Sequence, residues 1–458
     1  MPLAENDRMT TIGEGGARIQ LYPKWFRGRR LTWRTWVHGV LVALLLVGPW
    51  IDVGGHPAIR IDIPGRRLHF WGATLLATDG AYLLFFLLGG ALTVFLFTAL
   101  FGRAWCGWSC PQTVFLESII RPIERWLEGD AQKRRAFDNA PWTPRKAMIR
   151  AIKLGLFLIV CGALGTTAVA YFLGREGVLE AQADPLAHPT GTAIFIFITA
   201  VTFLDFAWFR EQVCTVVCPY GRWQSVLLDA HSLTVGYDPG RGEPRGKAKD
   251  PNAGDCVDCK KCVQVCPTGI DIRKGTQMEC VQCMACIDAC DDIMVKLKRP
   301  KGLIRFTSER ELAGQKTKVF RSRVVAYALA LAGVIGAMTF SFAERQDVTL
   351  NLGRQPKAPY AFLPDGRVQN SLRLRVSNRG DEPRNFDVRL VSPADGELVI
   401  PIAPFVVKPE EVKHVPVFLL QAATAPAGRM YEIEVHDDHG FQETVSIAFV
   451  SAVREEAP

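Results

Sequence analysis

Eight cysteines between Cys256 and Cys290 give one spacing twice. The first copy is DCVDCKKCVQVCP, with Cys256, Cys259, Cys262 and Cys266 ahead of Pro267. The second is ECVQCMACIDAC, with Cys280, Cys283, Cys286 and Cys290, and Asp291 where the first copy has proline. C-x2-C-x2-C-x3-C, doubled, is the pattern of a two-cluster iron-sulfur module: three thiolates of one loop hold a cubane, and the fourth ligand comes from the other copy. The spacing therefore assigns Cys256, Cys259, Cys262 and Cys290 to one 4Fe-4S cluster, and Cys280, Cys283, Cys286 and Cys266 to a second. Zinc would take four ligands from two C-x2-C pairs, which two groups of four do not match. Thiols at this density beside basic residues also point to a reducing compartment, against disulfides. The chemistry implied is one-electron transfer.

Four further cysteines form a second repeat. FGRAWCGWSCP (101–111) and FREQVCTVVCP (209–219) both read Phe, four residues, Cys, three residues, Cys-Pro. Residues four apart share a helix face, so Cys106 with Cys110, and Cys214 with Cys218, are expected to present paired sulfurs on helices that the prolines limit just beyond. Three roles stay open. The thiols could be small buried packing residues. They could form a dithiol relay, with Arg103 and Arg210 lowering the thiol pKa. Or they could converge on a soft metal such as Cu(I). Cys161 stands alone in an apolar run and reads as core filling. Asp205 is costly in lipid and is a functional candidate. His38, His56, His69 and His188 show no ligand spacing and read as structural, and too few methionines are present for a methionine-rich copper store.

The elements that position these residues are membrane helices. The chain has 458 residues, 48% of them hydrophobic, concentrated in runs near 31–51, 81–101, 150–173, 191–209 and 324–343. Each approaches the ~20 apolar residues that cross a bilayer. Six Lys/Arg in residues 1–30 and eight in 102–149, against three in 51–80 and one in 174–190, place the N-terminus and the cysteine insert on the cytoplasmic side. The formal charge of +8 is explained by those loops facing anionic lipid and needs no nucleic acid. The organisation expected is a basic N-terminus (1–30), a membrane core with four helices and both C-x3-C-P motifs (31–236), a linker and two-cluster module (237–303), a connector with a fifth helix (304–345), and a last domain (346–458). In that last part NSLRLRV, NFDVRLV, KHVPVFLL, MYEIEV and ETVSIAFV alternate apolar and polar residues between turns, as half-buried strands do. About seven such strands suggest an immunoglobulin-like sandwich, here without cysteine and outside the cytoplasm. The fold class expected is thus an α-helical membrane protein with an inserted two-cluster ferredoxin-like module and a C-terminal all-β sandwich.

WCGWSCPQTV (105–114), REQVCTVVCPYGRWQSV (210–226), YDPGRGEPRG (237–246), GDCVDCKKCVQVCPTGIDIRKG (254–275) and ECVQCMACIDAC (279–290) together resemble the CcoG/FixG/RdxA family of cytochrome c oxidase accessory proteins, over nearly the whole chain. The resemblance implies a bacterial inner-membrane protein that reduces Cu(II) to Cu(I) for assembly of cbb3-type oxidase. Copper is then the substrate, held near Cys106, Cys110, Cys214 and Cys218. The implied partners are membrane lipid, oxidase assembly factors or copper chaperones, and a cytoplasmic electron donor, with homo-oligomerisation left open. Two other functions fit the residues: a quinol-linked subunit feeding a periplasmic reductase, and an assembly scaffold whose clusters are structural.

Overall fold

The computed structural model describes residues 20–53, 56–63, 67–76, 80–344, 346–355, 360–380, 382–422 and 425–451. They form two compact units that divide between Met338 and Thr339.

Among the described residues five helices are long and apolar enough to span a bilayer: α1 (Arg29–Val47), α2 (Gly80–Phe101), α3 (Pro144–Ala183) and α4 (Pro189–Leu204) in the first unit, and α5 (Ser322–Ala343), which runs across the division. Large apolar side chains on them, such as Leu87, Ile159, Phe197 and Phe340, are exposed by the protein itself. That is the inverse of a water-soluble fold and the expected state of a lipid-facing surface. The start of α3 is set by Thr143, whose side chain accepts from the Lys146 N–H, with Pro144 in the first turn where its missing N–H costs nothing. Its regular path breaks at Gly174 (φ 75°), a conformation that a residue with a Cβ adopts at a cost. The apolar run expected to end at residue 173 stops beside this break, where Arg175 and Glu176 follow. Between α1 and α2, read from sequence only as a loop, the strands Ile59–Asp62, Arg67–Phe70 and Ala73–Leu76 form an antiparallel sheet.

The cysteine-rich module is closed by strand Thr234–Tyr237 pairing antiparallel with Ile304–Thr307, so it reaches beyond the expected 237–303 on both sides. Helices Lys261–Gln264 and Ala285–Lys296 pack on that pair through Val235, Ile272, Ile287, Met294 and Leu303. YDPGRGEPRG, expected to be an aperiodic linker, is instead bound to the module. Asp255 N–H donates to Arg241 O (2.8 Å), Gly254 N–H to Pro244 O (2.8 Å), and Arg241 pairs with Asp255 (2.8 Å).

The second unit is a two-sheet sandwich of nine strands: β1 (Val348–Arg354), β2 (Tyr360–Phe362), β3 (Arg367–Asn378), β4 (Arg384–Ser392), β5 (Glu397–Val399), β6 (Phe405–Val407), β7 (Val412–Ala422), β8 (Met430–Asp437) and β9 (Gln442–Ala448). One sheet runs β5-β7-β3-β1, with β2 also on β3, and the other β6-β4-β8-β9. Alternate residues of the long strands, among them Leu372, Leu374, Val376, Val415, Val417 and Leu419, fill the space between the sheets. Phe386 stacks on Phe405, and the buried Tyr431 hydroxyl accepts from Gln421 Nε2 (2.7 Å). A core of this size replaces the absent disulfide.

Candidate electron-transfer site

The two copies of the cluster motif fold alike. Asp258 and Lys260 flank Cys259 at φ 49° and 53°, and Gln282 and Met284 flank Cys283 at φ 52° and 63°. Left-handed backbone at non-glycine residues costs of order 1–2 kcal/mol each, and the same strain at the same two positions of both copies winds each loop inward on its thiols. Cys256, Cys259, Cys262 and Cys290 line one cavity, with Ile293, Met294, Leu303 and Ile304 as its apolar walls. Burial, with the charges of Cys256 and Cys259 beside it, pushes the Cys290 thiol up to about 12. In the second group burial pushes Cys280 up to about 12, with Cys266 and Cys283 adjoining it, and drives Cys286 well up beside Cys283, Cys280 and Cys266. The structure places Cys290 with Cys256, Cys259 and Cys262, and Cys266 beside Cys280, Cys283 and Cys286. Among the described residues no three His, Cys, Asp or Glu side chains stand close enough for a single metal ion. Thiols that hold a cubane bind different corners of the cluster and stand wider apart, so soft sulfur donors in two groups of four fit the 4Fe-4S group.

The C-x3-C-P motifs gather into a third group, but not by the expected geometry. Cys106 lies on a short helix, Ala104–Trp108, which ends before Cys110. Cys110 (φ −65°, ψ 125°) and Cys218 (φ −66°, ψ 110°) are extended, and each is the residue that caps the next helix, with Pro111 or Pro219 in its first turn. The residue before proline is driven out of helical conformation, so each proline starts a helix rather than stopping one. The paired-face expectation for Cys106/Cys110 and Cys214/Cys218 is thereby corrected. The thiols come together through tertiary packing: burial pushes Cys214 up to about 12, with Cys110, Cys106 and Cys218 all beside it. The expectation of lowered thiol pKa values also fails. Arg103 does act on Cys106, but burial outweighs it and the thiol is raised. Arg210 is engaged elsewhere, with its Nε donating to Phe206 O (2.9 Å) and its guanidinium paired with the fully buried Glu124.

That pair ties the first motif's following helix, Arg121–Glu128, to the start of the second motif. Burial opposes charge on Glu124, yet Arg210 and Arg134 hold its carboxyl below the usual range. Gln112 Nε2 donates to Asp205 Oδ1 (3.0 Å) and to Arg210 O (2.9 Å). Arg103 Nε donates to Gln224 Oε1 (2.7 Å), which Cys106 Sγ also meets at 3.4 Å. Gln112, Glu124 and Gln224 were not legible as site residues, because their spacing in the sequence follows no motif. Asp205 proves to be one of these cross-braces. Among the described residues one π-helical turn, Val213–Val217, contains Cys214, and two more, Leu116–Ile120 and Asp205–Phe209, lie close to the motifs in the chain, a feature common near functional sites.

The third thiol group adjoins the second cluster set. Cys106 packs in one apolar cluster with Val265, Val281, Cys283, Ala285 and Ala289. At Gly107 a Cβ would fall 2.3 Å from Val281 O and 3.0 Å from Cys283 N, so the two loops touch backbone to backbone. Trp108 Nε1 donates to Gln282 O (3.3 Å). The remaining residues singled out from sequence behave as structural groups. Cys161 is buried against Phe115, Phe157 and Phe206. His38 is buried with Nδ1 2.6 Å from Ser118 Oγ and Nε2 3.3 Å from Gly107 O. The His69 ring meets Thr74 Oγ1 at 2.9 Å, His188 is exposed beside Glu180, and the side chain of His56 lies outside the described residues.

Three families match the chain: a 4Fe-4S dicluster domain over residues 209–309, a 4Fe-4S binding domain over 83–129 and 187–229, and the IG-like fold at the C-terminal of FixG over 338–452. Protein RdxA of Cereibacter sphaeroides is 35% identical over 383 residues, covering 81% of each chain. Nitrogen fixation protein FixG of Rhizobium meliloti is 32% identical over 472 residues, covering 91% of this chain and 88% of its own. The crystal structure of a FixG-related protein from Vibrio parahaemolyticus is similar over 24% of this chain and 100% of its own, with 19% identity and a TM-score of 0.20. With the cluster loops, the five membrane helices and the terminal sandwich in place, these relationships show that the chain is an iron-sulfur electron-transfer protein of the membrane and belongs to the FixG/RdxA family.

Proposed function

We propose that this chain reduces Cu(II) to Cu(I) in the bacterial inner membrane, for assembly of a cbb3-type oxidase. The observation that carries the reading is the group of four thiols, Cys106, Cys110, Cys214 and Cys218, packed against the loop of Cys283. Bound in the two ferredoxin-like sets, the 4Fe-4S groups supply one-electron chemistry at about the loops of Cys259 and Cys283. Each Cu(II) takes up one electron and no bond need break. Thiolates prefer Cu(I), and two of them are enough to hold it, so a pair of these sulfurs favours the reduced ion and retains it until a partner takes it. Cupric reductase is the activity this implies, with the N-terminus and the cluster module cytoplasmic and the sandwich periplasmic.

The test is an anaerobic assay in which purified, prereduced protein meets Cu(II) in the presence of a Cu(I)-specific chelator. Chelated Cu(I) should form in proportion to the reduced clusters. No Cu(I) beyond that of protein with its clusters removed would end the proposal.

One observation favours a second reading of the same thiols. The 4Fe-4S binding domain family matches the two segments that contain all four of them. The four cysteines would then hold an iron-sulfur centre of their own, with copper reduced beside it. Iron content decides: about eight irons per chain for two cubanes, about twelve for three.

A further inference from the structure

The two cluster sets are not equivalent in their surroundings. Cys259 of the first set is exposed, in a stretch (258–260) that is exposed throughout. The second set is covered by the membrane-face loop: Gly107 on Val281 and Cys283, Trp108 on Gln282, and Arg103 beside Cys280 and Gln282. One set therefore faces water and the other faces the third thiol group.

The rim around Cys259 is cationic in a specific way. The bound segment described above lies along the first set, since Gly246 N–H donates to Cys256 O (3.3 Å) and Arg245 stands over the Tyr237 ring that lines the same cavity. Its next residues, Lys247 and Lys249, are exposed, as is Lys260 beside Cys259. Three nearby carboxylates are paired with arginine: Asp258 with Arg273 (2.5 Å), Asp255 with Arg241 (2.8 Å) and Glu243 with Arg245 (2.7 Å); Asp250 accepts the Asn252 N–H (3.0 Å) and keeps its charge, one carboxylate against three lysines. No ion pair in the described residues takes Lys247, Lys249 or Lys260. Charges left free at the rim of a contact steer encounter rather than hold the fold together.

We propose that the surface around Cys259, framed by Lys247, Lys249 and Lys260, is the docking face for a soluble, acidic one-electron carrier protein. Electrons enter at the exposed first set and leave through the covered second set toward Cys106, Cys110, Cys214 and Cys218. Per encounter the carrier loses one electron and this chain gains one; no proton or covalent bond moves. The inference rests on the electron-carrier reading and not on copper.

The experiment uses the full chain in nanodiscs without copper, with flavodoxin as the acidic probe. Fluorescence anisotropy reads the affinity of labelled oxidised flavodoxin, and stopped-flow absorbance reads cluster bleaching by photoreduced flavodoxin. For the triple variant Lys247→Glu, Lys249→Glu, Lys260→Glu, affinity and second-order rate should both fall about ten-fold or more at low salt. Wild-type values should decline as salt rises, and those of the variant should not. Bleaching by photoreduced deazariboflavin, a small reductant with no protein face, should stay equal in the two proteins, which shows that the variant keeps its clusters. Flavodoxin that neither binds nor reduces the wild type, or a variant with wild-type affinity, rate and salt dependence, would overturn the assignment. Either result leaves the copper assay free to succeed or fail by itself, because that assay starts from chemically prereduced protein.

Discussion

Gly107→Ala is the sharpest probe of the contact between the membrane-face loop and the second cluster loop. The added methyl would lie 2.3 Å from Val281 O, where ordinary contact begins at 3.4 Å, so the loops must part by about 1 Å. Neither wall can rotate away, because the atoms it meets are backbone. Gly107 O is also fixed, accepting from the buried Arg34 Nε at 2.7 Å. Overpacking of this kind costs about 1–3 kcal/mol, which multiplies the locally open population about five-fold or more. Hydrogen exchange of the full chain in detergent should register that increase at residues 281–283 and at the Trp108 indole, whose acceptor is Gln282 O. Iron content should stay at its wild-type level, since no thiol is altered, while transfer from the cluster module to the third thiol group slows. Gly90→Ala is the control, because its Cβ would meet nothing within 4 Å. Exchange at 281–283 as slow in Gly107→Ala as in wild type would refute the claim that these loops are in backbone contact.

Other perturbations probe the remaining links. Cys106→Ser combined with Cys214→Ser should leave the eight ferredoxin-like ligands loaded and lower both copper occupancy and copper reduction; unchanged copper binding would remove these thiols from the copper pathway, and loss of iron would favour the second reading of the site. Reporter fusions near residues 130 and 270 should signal from the cytoplasm and one near 400 from the periplasm, and a cytoplasmic signal near 400 would contradict the charge-based orientation. Phe386→Ala should destabilise the sandwich by about 3–5 kcal/mol, since it removes a fully buried ring stacked on Phe405. A loss under about 1 kcal/mol in denaturant unfolding would mean that this core repacks freely.

By itself the sequence determined what depends on local spacing and on composition. The expected pairing of Cys266 with the second set and Cys290 with the first follows from the reach of a short loop, and in the structure Cys290 lines the cavity of the first set while Cys266 stands beside Cys286. The five spans follow from apolar runs matched to bilayer thickness, and the long sandwich strands from two-residue alternation. Tertiary structure decided everything that depends on segments meeting from afar. Proline before a helix and proline after one look alike in a string, and only the extended backbone at Cys110 and Cys218 distinguishes the two. Burial is a property of the packed neighbourhood, which is why the thiols are raised rather than lowered by nearby arginine. The braces Glu124–Arg210, Gln112–Asp205 and Arg103–Gln224 join residues about a hundred positions apart with no shared motif, and Gly107 is small because a backbone more than 170 positions away rests on it.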